Sequence, residues 1–243
     1  MNVVNETVAT PKHSPRVQRK REAKREQILA TAMRLLAEGG IESVTVQRLA
    51  KELDYTAGAL YRYFPGKDAL LAAMQRHSVG ALRKHYQIQA EAWATEREAR
   101  GVDPVTNDLM ALMSLAEFYV ALSETLPHDT KLINFLLADP RNLISNEDAA
   151  RIAPAFFGLL SEVALLFDNA AASSALTRGN SGDRAVVFWS ALQGTLQLDK
   201  LQRFDARIFQ PNRLGRQLAQ TLLLGWGANA AALDQAIAEL DKE

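Results

Sequence analysis

Cysteine is absent from the chain, which excludes disulfide staples and thiolate-held metals. Histidine is scarce. His13, His77, His85 and His128 lie far apart, and none takes part in a Glu-x-x-His or His-x-x-x-His spacing, so a metal site is not expected. No glycine-rich phosphate loop and no Gly-x-Ser-x-Gly turn occurs, which removes the commonest signatures of nucleotide enzymes and serine hydrolases. Ser161 and Glu162 read as polar interruptions of an apolar helix rather than as chemistry. The expectation is a non-enzyme without a cofactor. No uninterrupted apolar run approaches bilayer length, and the first fifteen residues lack the apolar core of a secretory signal, so a soluble cytoplasmic protein with no membrane partner is expected.

Net charge is also lacking: 28 basic residues balance 28 acidic ones over 243 positions. The distribution is uneven. Lys12, Arg16, Arg19, Lys20, Arg21, Lys24 and Arg25 are opposed only by Glu22, leaving the rest of the chain net acidic. One end thus suits a polyanion and the other does not. Residues 1–15 carry no apolar periodicity and are expected to be a disordered tail. The basic run is expected to lead, as a phosphate-following arm, into a helix from Glu22 to Ala37.

Residues 44–68 organise the rest. Thr45 can cap a short helix whose apolar stripe is Val46, Leu49, Ala50 and Leu53. Asp54-Tyr55 interrupt it, Thr56 offers a second cap, and Ala59, Leu60, Tyr63 and Phe64 form the next stripe before Pro65-Gly66 ends it. Two short helices across a tight turn have the geometry of a helix-turn-helix, whose second helix enters the DNA major groove.

This stretch resembles the DNA-binding segment of TetR-type (tetracycline-repressor-like) transcriptional regulators. The likeness is carried by Thr45, Leu49-Ala50, Thr56, Gly58, Leu60-Tyr61, Tyr63-Phe64, Lys67 and Leu70-Leu71, and upstream by Ile28-Leu29, Ala32, Leu36 and Gly39-Gly40. The departure is Asp54-Tyr55, where many members carry Gly-Val; Asp tolerates a left-handed turn better than most residues. The resemblance implies that Thr45, Thr56, Tyr61 and Lys67 position the protein on phosphates, that Gln47 and Arg62 read bases, and that Ala57 and Gly58 permit close approach. Arg16 and Arg19 add salt-dependent contacts. It further implies a homodimer on a palindromic double-stranded operator, and repression relieved by a small-molecule effector.

Every periodic segment after Asp103 reads as helix and none as strand. The fold class expected is all-α: an N-terminal helix-turn-helix DNA-binding domain at 16–66, then a helical ligand-binding and dimerisation domain at 67–243. A long helix follows Lys67 toward Trp93, and further helices are expected near 104–125, 127–137, 148–175, 183–201, 212–226 and 229–240, with a polar loop at 141–147. Pro154 suggests that the 148–175 helix begins there instead. Candidate pocket residues are Trp93, Leu112, Tyr119, Phe156, Leu160 and Val163, a lining for an apolar or aromatic effector. Candidate dimer residues are Trp189, Leu192, Leu196, Leu218 and Leu222, with Gly194 and Gly225 allowing close helix approach. The alternatives are a body that binds a protein partner instead of a small ligand, and a non-specific DNA binder.

Overall fold

The computed structural model describes residues 14–138 and 145–242. Most of the expected tail, residues 1–13, and most of the expected loop at 141–147 lie outside the described residues. The chain divides into two compact units, Met1–Leu70 and Leu71–Glu243. Both are all-α: among the described residues there are helices, turns and short 3-10 segments but no strand.

In the first unit, α1 (Pro15–Gly39) is followed by α2 (Val46–Glu52) and α3 (Ala57–Tyr61). The helix α1 starts at Pro15, well before Glu22. Proline at the first helical position has its φ preset and needs no amide partner, and nothing from Arg16 to Arg25 breaks a helix. The basic run is therefore helical rather than an extended arm. Its buried stripe is Ile28, Ala32, Leu35 and Leu36. Gly40 ends the helix at φ 68°, a left-handed conformation natural only to glycine, and its amide caps the Leu36 carbonyl. Gly39 is needed for space: a Cβ there would lie 2.8 Å from the Ser43 Cβ. Both short helices are capped as their sequence suggests. Thr45 Oγ1 accepts from the Arg48 amide and Thr56 Oγ1 from the Ala59 amide, each at 3.2 Å. Between them Asp54 takes φ 52°, the left-handed position of the tight turn.

The second unit is a helical bundle entered by α4 (Lys67–Ala99), which begins in the first unit. Then come α5 (Pro104–Thr125), α6 (Pro127–Ala138), α7 (Asn146–Ala172), α8 (Ser181–Gln197), α9 (Pro211–Gly225) and α10 (Ala230–Leu240). The central element is α5, against which α6, α7, α8, α9 and α10 all pack. It buries Leu109, Met110, Leu112, Met113 and Ala116 completely. Gly215 lets α9 approach α5 so closely that a Cβ there would sit 2.6 Å from Val120 Cγ1. The helix α7 starts at Asn146, upstream of Pro154. Ser145 caps it by accepting from the Asp148 amide at 3.1 Å, and Glu147 and Asp148 complement the helix dipole. The helix therefore runs through Pro154, which lies in its third turn and removes one backbone bond. By contrast α8 stops at Gln197 and a short 3-10 turn, Asp199–Leu201, replaces its expected last turn.

Among the described residues, α5 and α7 are long and apolar enough to cross a bilayer by length and composition alone, with mean hydropathy 1.2 and 1.6, although neither is an uninterrupted apolar run. In this bundle α5 is the buried core helix.

Candidate DNA-reading face and body cavity

The caps of α2 and α3 spend their hydroxyls on backbone amides and leave the neighbouring side chains outward. Gln47, Thr56, Ala57, Gly58, Tyr61, Arg62 and Lys67 are all exposed, and Thr45 is half-buried. Leu60 and Phe64 fill the interior beneath them. Among the described residues, no heavy atom stands within 4 Å of where a Gly58 Cβ would be, so α3 presents bare backbone at its first turn. Arg16 and Arg19 are exposed on the first turns of α1.

The basic run divides into two functions that its composition does not distinguish. Arg16, Arg19 and Lys20 face solvent. The next cations brace the end of α3: Arg21 Nη2 donates to the Arg62 carbonyl at 3.4 Å and Arg25 Nη1 to the Tyr63 carbonyl at 3.2 Å. Cations at a helix C-terminus satisfy its spare carbonyls and oppose its dipole. Arg25 also stacks on Phe64, 4.6 Å from the ring centre. Lys24 Nζ donates to the Tyr55 hydroxyl at 2.8 Å, and this bond raises the lysine pKa. Nothing in the sequence marks these three as braces, because their partners lie 31 to 41 residues away.

In the body, one cavity lies between α4, α5, α7 and α8. Of the candidate pocket residues, Tyr119, Phe156, Leu160 and Val163 line it. Leu112 is instead fully buried in the core, and Trp93 lines a separate, open cleft with Arg97, Asn107, Asp108 and Leu166. Two candidates for the dimer face, Trp189 and Leu192, line this cavity instead. A third, Leu196, is buried within the single chain, while Leu218 and Leu222 are half-buried. The cavity is narrow, about 40 Å³. Its polar atoms are largely committed elsewhere: the Tyr119 hydroxyl accepts from Trp189 Nε1 at 2.8 Å and donates to Gln193 Oε1 at 2.6 Å, and Gln193 Nε2 donates to Asn134 Oδ1 at 2.6 Å. Burial holds the Tyr119 phenol above its ordinary pKa.

Outside the cavity lining, α4 and α7 are tied by one carboxylate, that of Glu162. Arg83 Nε and Nη2 donate to Glu162 Oε1 at 2.8 and 2.5 Å, and Gln87 Nε2 donates to the same oxygen at 2.8 Å. Leu82 and Tyr86 beside these donors, and Val163 beside the acceptor, line the cavity. Burial first, and the Glu162 charge second, push the Tyr86 phenol up to about 12. Reading the sequence as periodic stripes misses Glu162. Its position as the one charged residue in the apolar stretch from Ile152 to Phe167 is the signal that marks it.

Residues 28–74 match the family model described as bacterial regulatory proteins, tetR family. The chain is 49% identical over 47 residues to the uncharacterized HTH-type transcriptional regulator YuxN of Bacillus subtilis, covering 19% of this chain and 16% of that one. It is 39% identical over 71 residues to the nucleoid occlusion factor SlmA of Haemophilus influenzae, covering 29% and 31% respectively. The match to these curated relatives thus spans at most about a third of their length. Among solved structures, a putative transcriptional regulator from Saccharomonospora viridis in complex with choline shares the fold, with TM-score 0.56 and 17% identity over 81% of this chain and 94% of that one. The sequence likeness falls on the capped helix pair and its supporting helix, and the likeness of fold extends over the helical body. Residues 28–74 thus carry the likeness to the tetR family of bacterial regulatory proteins, and the fold of the chain is similar to that of solved regulators.

Proposed function

We propose that the protein is a sequence-specific DNA-binding transcriptional regulator, a repressor that occupies its operator as a homodimer and leaves it when a small apolar or aromatic effector enters the body cavity. The observation that carries this reading is the outward face of the head, where Gln47, Tyr61, Arg62 and Lys67 stand exposed around the capped start of α3. Arg62 and Gln47 supply base readout; Thr45, Thr56, Tyr61, Lys67, Arg16 and Arg19 supply phosphate contacts that fix register. Ala57 and Gly58 let the backbone come close. A five-residue recognition helix buries too little to hold a site alone, so two copies on a palindrome are required.

The exposed sides of α8 and α9 suit that pairing. Val186, Val187 and Leu224 are exposed apolar residues, and a Cβ at Gly194 or Gly225 would meet nothing among the described residues. The dimer face we propose therefore centres on Val187, Gly194 and Leu224, with Leu218 and Leu222 beside them. Support for an effector comes from the cavity and from the choline found in the similarly folded regulator of S. viridis. The cavity is smaller than a ring-sized ligand needs, so an effector must part the helices around it. It favours whichever arrangement of α4 accommodates it.

The test is selection of bound duplexes from a random library by the purified full chain at near-physiological salt. A recovered palindrome, preferred over unrelated duplexes by ~10³ or more, is the expected result. Equal binding to all duplexes overturns sequence-specific regulation.

A further inference from the structure

The narrow cavity and the open cleft at Trp93 share a wall. Tyr86 lines both, and the same three helices continue from one space into the other. On α4, Leu82 and Tyr86 line the cavity, and Tyr86, Ala90, Trp93 and Arg97 line the cleft. On α5 the order reverses, with Asp108 and Ala111 at the cleft and Leu115 and Tyr119 at the cavity. On α7, Leu159 and Val163 at the cavity give way to Leu166 and Asn169 at the cleft. Each series advances in steps of three and four residues, so each is one stripe of its helix. The two spaces therefore lie end to end along a single seam, over which α4 rises about 22 Å from Leu82 to Arg97. The Tyr86 ring divides this seam. It packs edge-on against Phe118 at 5.3 Å between ring centres, and Phe118 meets Trp93 of the cleft edge-on at 6.5 Å.

We propose that cavity and cleft are two compartments of one effector site whose ligand is an elongated amphiphile. Its apolar chain reaches past Tyr86 into the cavity, and a neutral or cationic head bearing O–H or N–H donors stays in the cleft. The assignment rests on the reading of the cavity as an effector site and adds the ligand's shape and chemical class. It removes the misfit of volume, since the cavity alone offers about 40 Å³ and the cleft adds about 330 Å³. The chemistry of the two ends differs accordingly. The cavity is lined by leucine, valine and aromatic rings, whereas Glu91, Asn107, Asp108 and Asn169 bring acceptors to the cleft. Burial raises the Asp108 pKa and the Ser173 hydroxyl offsets this only in part, so a donor from the ligand favours its charged form. The one cation lining the cleft, Arg97, already donates to the Ser114 hydroxyl and lies 5.9 Å from the Trp93 ring centre. A carboxylate head thus meets two acids and an arginine engaged elsewhere. Displacement of the Tyr86 ring by the chain is also how occupancy reaches α4.

Four probes discriminate: octanol, octylammonium, octanoate and toluene, titrated into the full-length protein labelled with fluorotryptophan. Calorimetry gives the affinities, and the fluorine resonances of Trp93 in the cleft and Trp189 in the cavity give the position. The alcohol and the ammonium are expected to shift both resonances and to bind roughly ten- to a hundredfold more tightly than octanoate. Toluene, short enough for one compartment, shifts Trp189 alone. Asp108→Asn should cut the lead of octylammonium over octanoate about tenfold and leave toluene unchanged. Octanol and octylammonium that shift only Trp189, or that bind no better than octanoate, overturn the two-compartment site, while toluene binding keeps the cavity as an effector site. Failure of all four to bind at millimolar concentration overturns the effector reading and the two-compartment site together. The unmodified protein supplies these comparisons, so the site can be overturned even if the variant does not fold.

Discussion

The head and the body are both helical, yet different forces hold them in shape. The head is specified locally: Thr45 and Thr56 cap helices of seven and five residues, Gly40 and Asp54 take left-handed turns, and each signal acts within four residues of itself. The body is specified by burial. Its core gathers Leu109, Met113, Phe167, Phe188 and Leu223 from α5, α7, α8 and α9, and no short stretch of sequence says which of them meet. Local encoding leaves the head's outward side chains uncommitted to its folding, whereas in the body the apolar side chains that fix the fold are themselves the interior.

The sharpest break of this contrast is a cavity in the body core. Phe167 is 1% exposed and packs edge-on against Phe188 and Trp226 at 5.6 and 5.2 Å between ring centres. Phe167→Ala is expected to destabilise the body by about 3–5 kcal/mol. Denaturant unfolding followed by tryptophan fluorescence measures it, and hydrogen exchange of α2 and α3 should stay near the unmodified level if the head is specified by its own local signals.

Next in size is a pair of glycines. Gly215→Ala forces a methyl against Val120, a stiff β-branched side chain on the neighbouring helix, and should cost about 1–3 kcal/mol. Gly58→Ala meets open space, so stability holds while operator affinity falls. Thermal melts and DNA-binding titrations of the two variants should show opposite losses, one of stability and one of binding.

A cap in the head is expected to matter less in energy. Thr56→Ala removes the hydroxyl that accepts the Ala59 amide and should cost about 1 kcal/mol. The loss should appear as faster amide exchange confined to α3, with Thr56→Ser restoring it. Exchange speeding up equally in α8 sinks the idea that the head's helices are held by their own ends.

What can be read from the sequence follows the same division. The capped helix pair, the Gly39-Gly40 stop and the Asp54 turn are legible because their partners are close in the chain. The helices of the body are legible in number, through apolar periodicity, but not in their facing. Trp189 and Leu192 have the spacing of an interface and turn out to line the cavity, because the choice between two apolar directions on α8 is made by α5 and α7. Glu162 escapes a local reading for the same reason: its partners are 75 and 79 residues away.

The smallest expected effect separates two uses of one basic run. Arg16 and Arg19 are exposed at the start of α1, whereas Arg21 and Arg25 donate to the carbonyls of Arg62 and Tyr63. Replacing Arg16 and Arg19 by alanine should weaken binding to every duplex alike and lower the salt slope by about 0.9 per lost phosphate contact, with the melting transition unchanged. Replacing Arg21 and Arg25 should loosen the end of α3 instead, so that amide exchange at Tyr63 and Phe64 quickens. It should also blur the preference for the operator over other duplexes, since Arg62 loses the brace that aims it. If both pairs change the salt slope equally and neither alters exchange, the run is one undivided electrostatic patch. The bonds from α1 to the end of α3 then contribute nothing to how the head reads DNA.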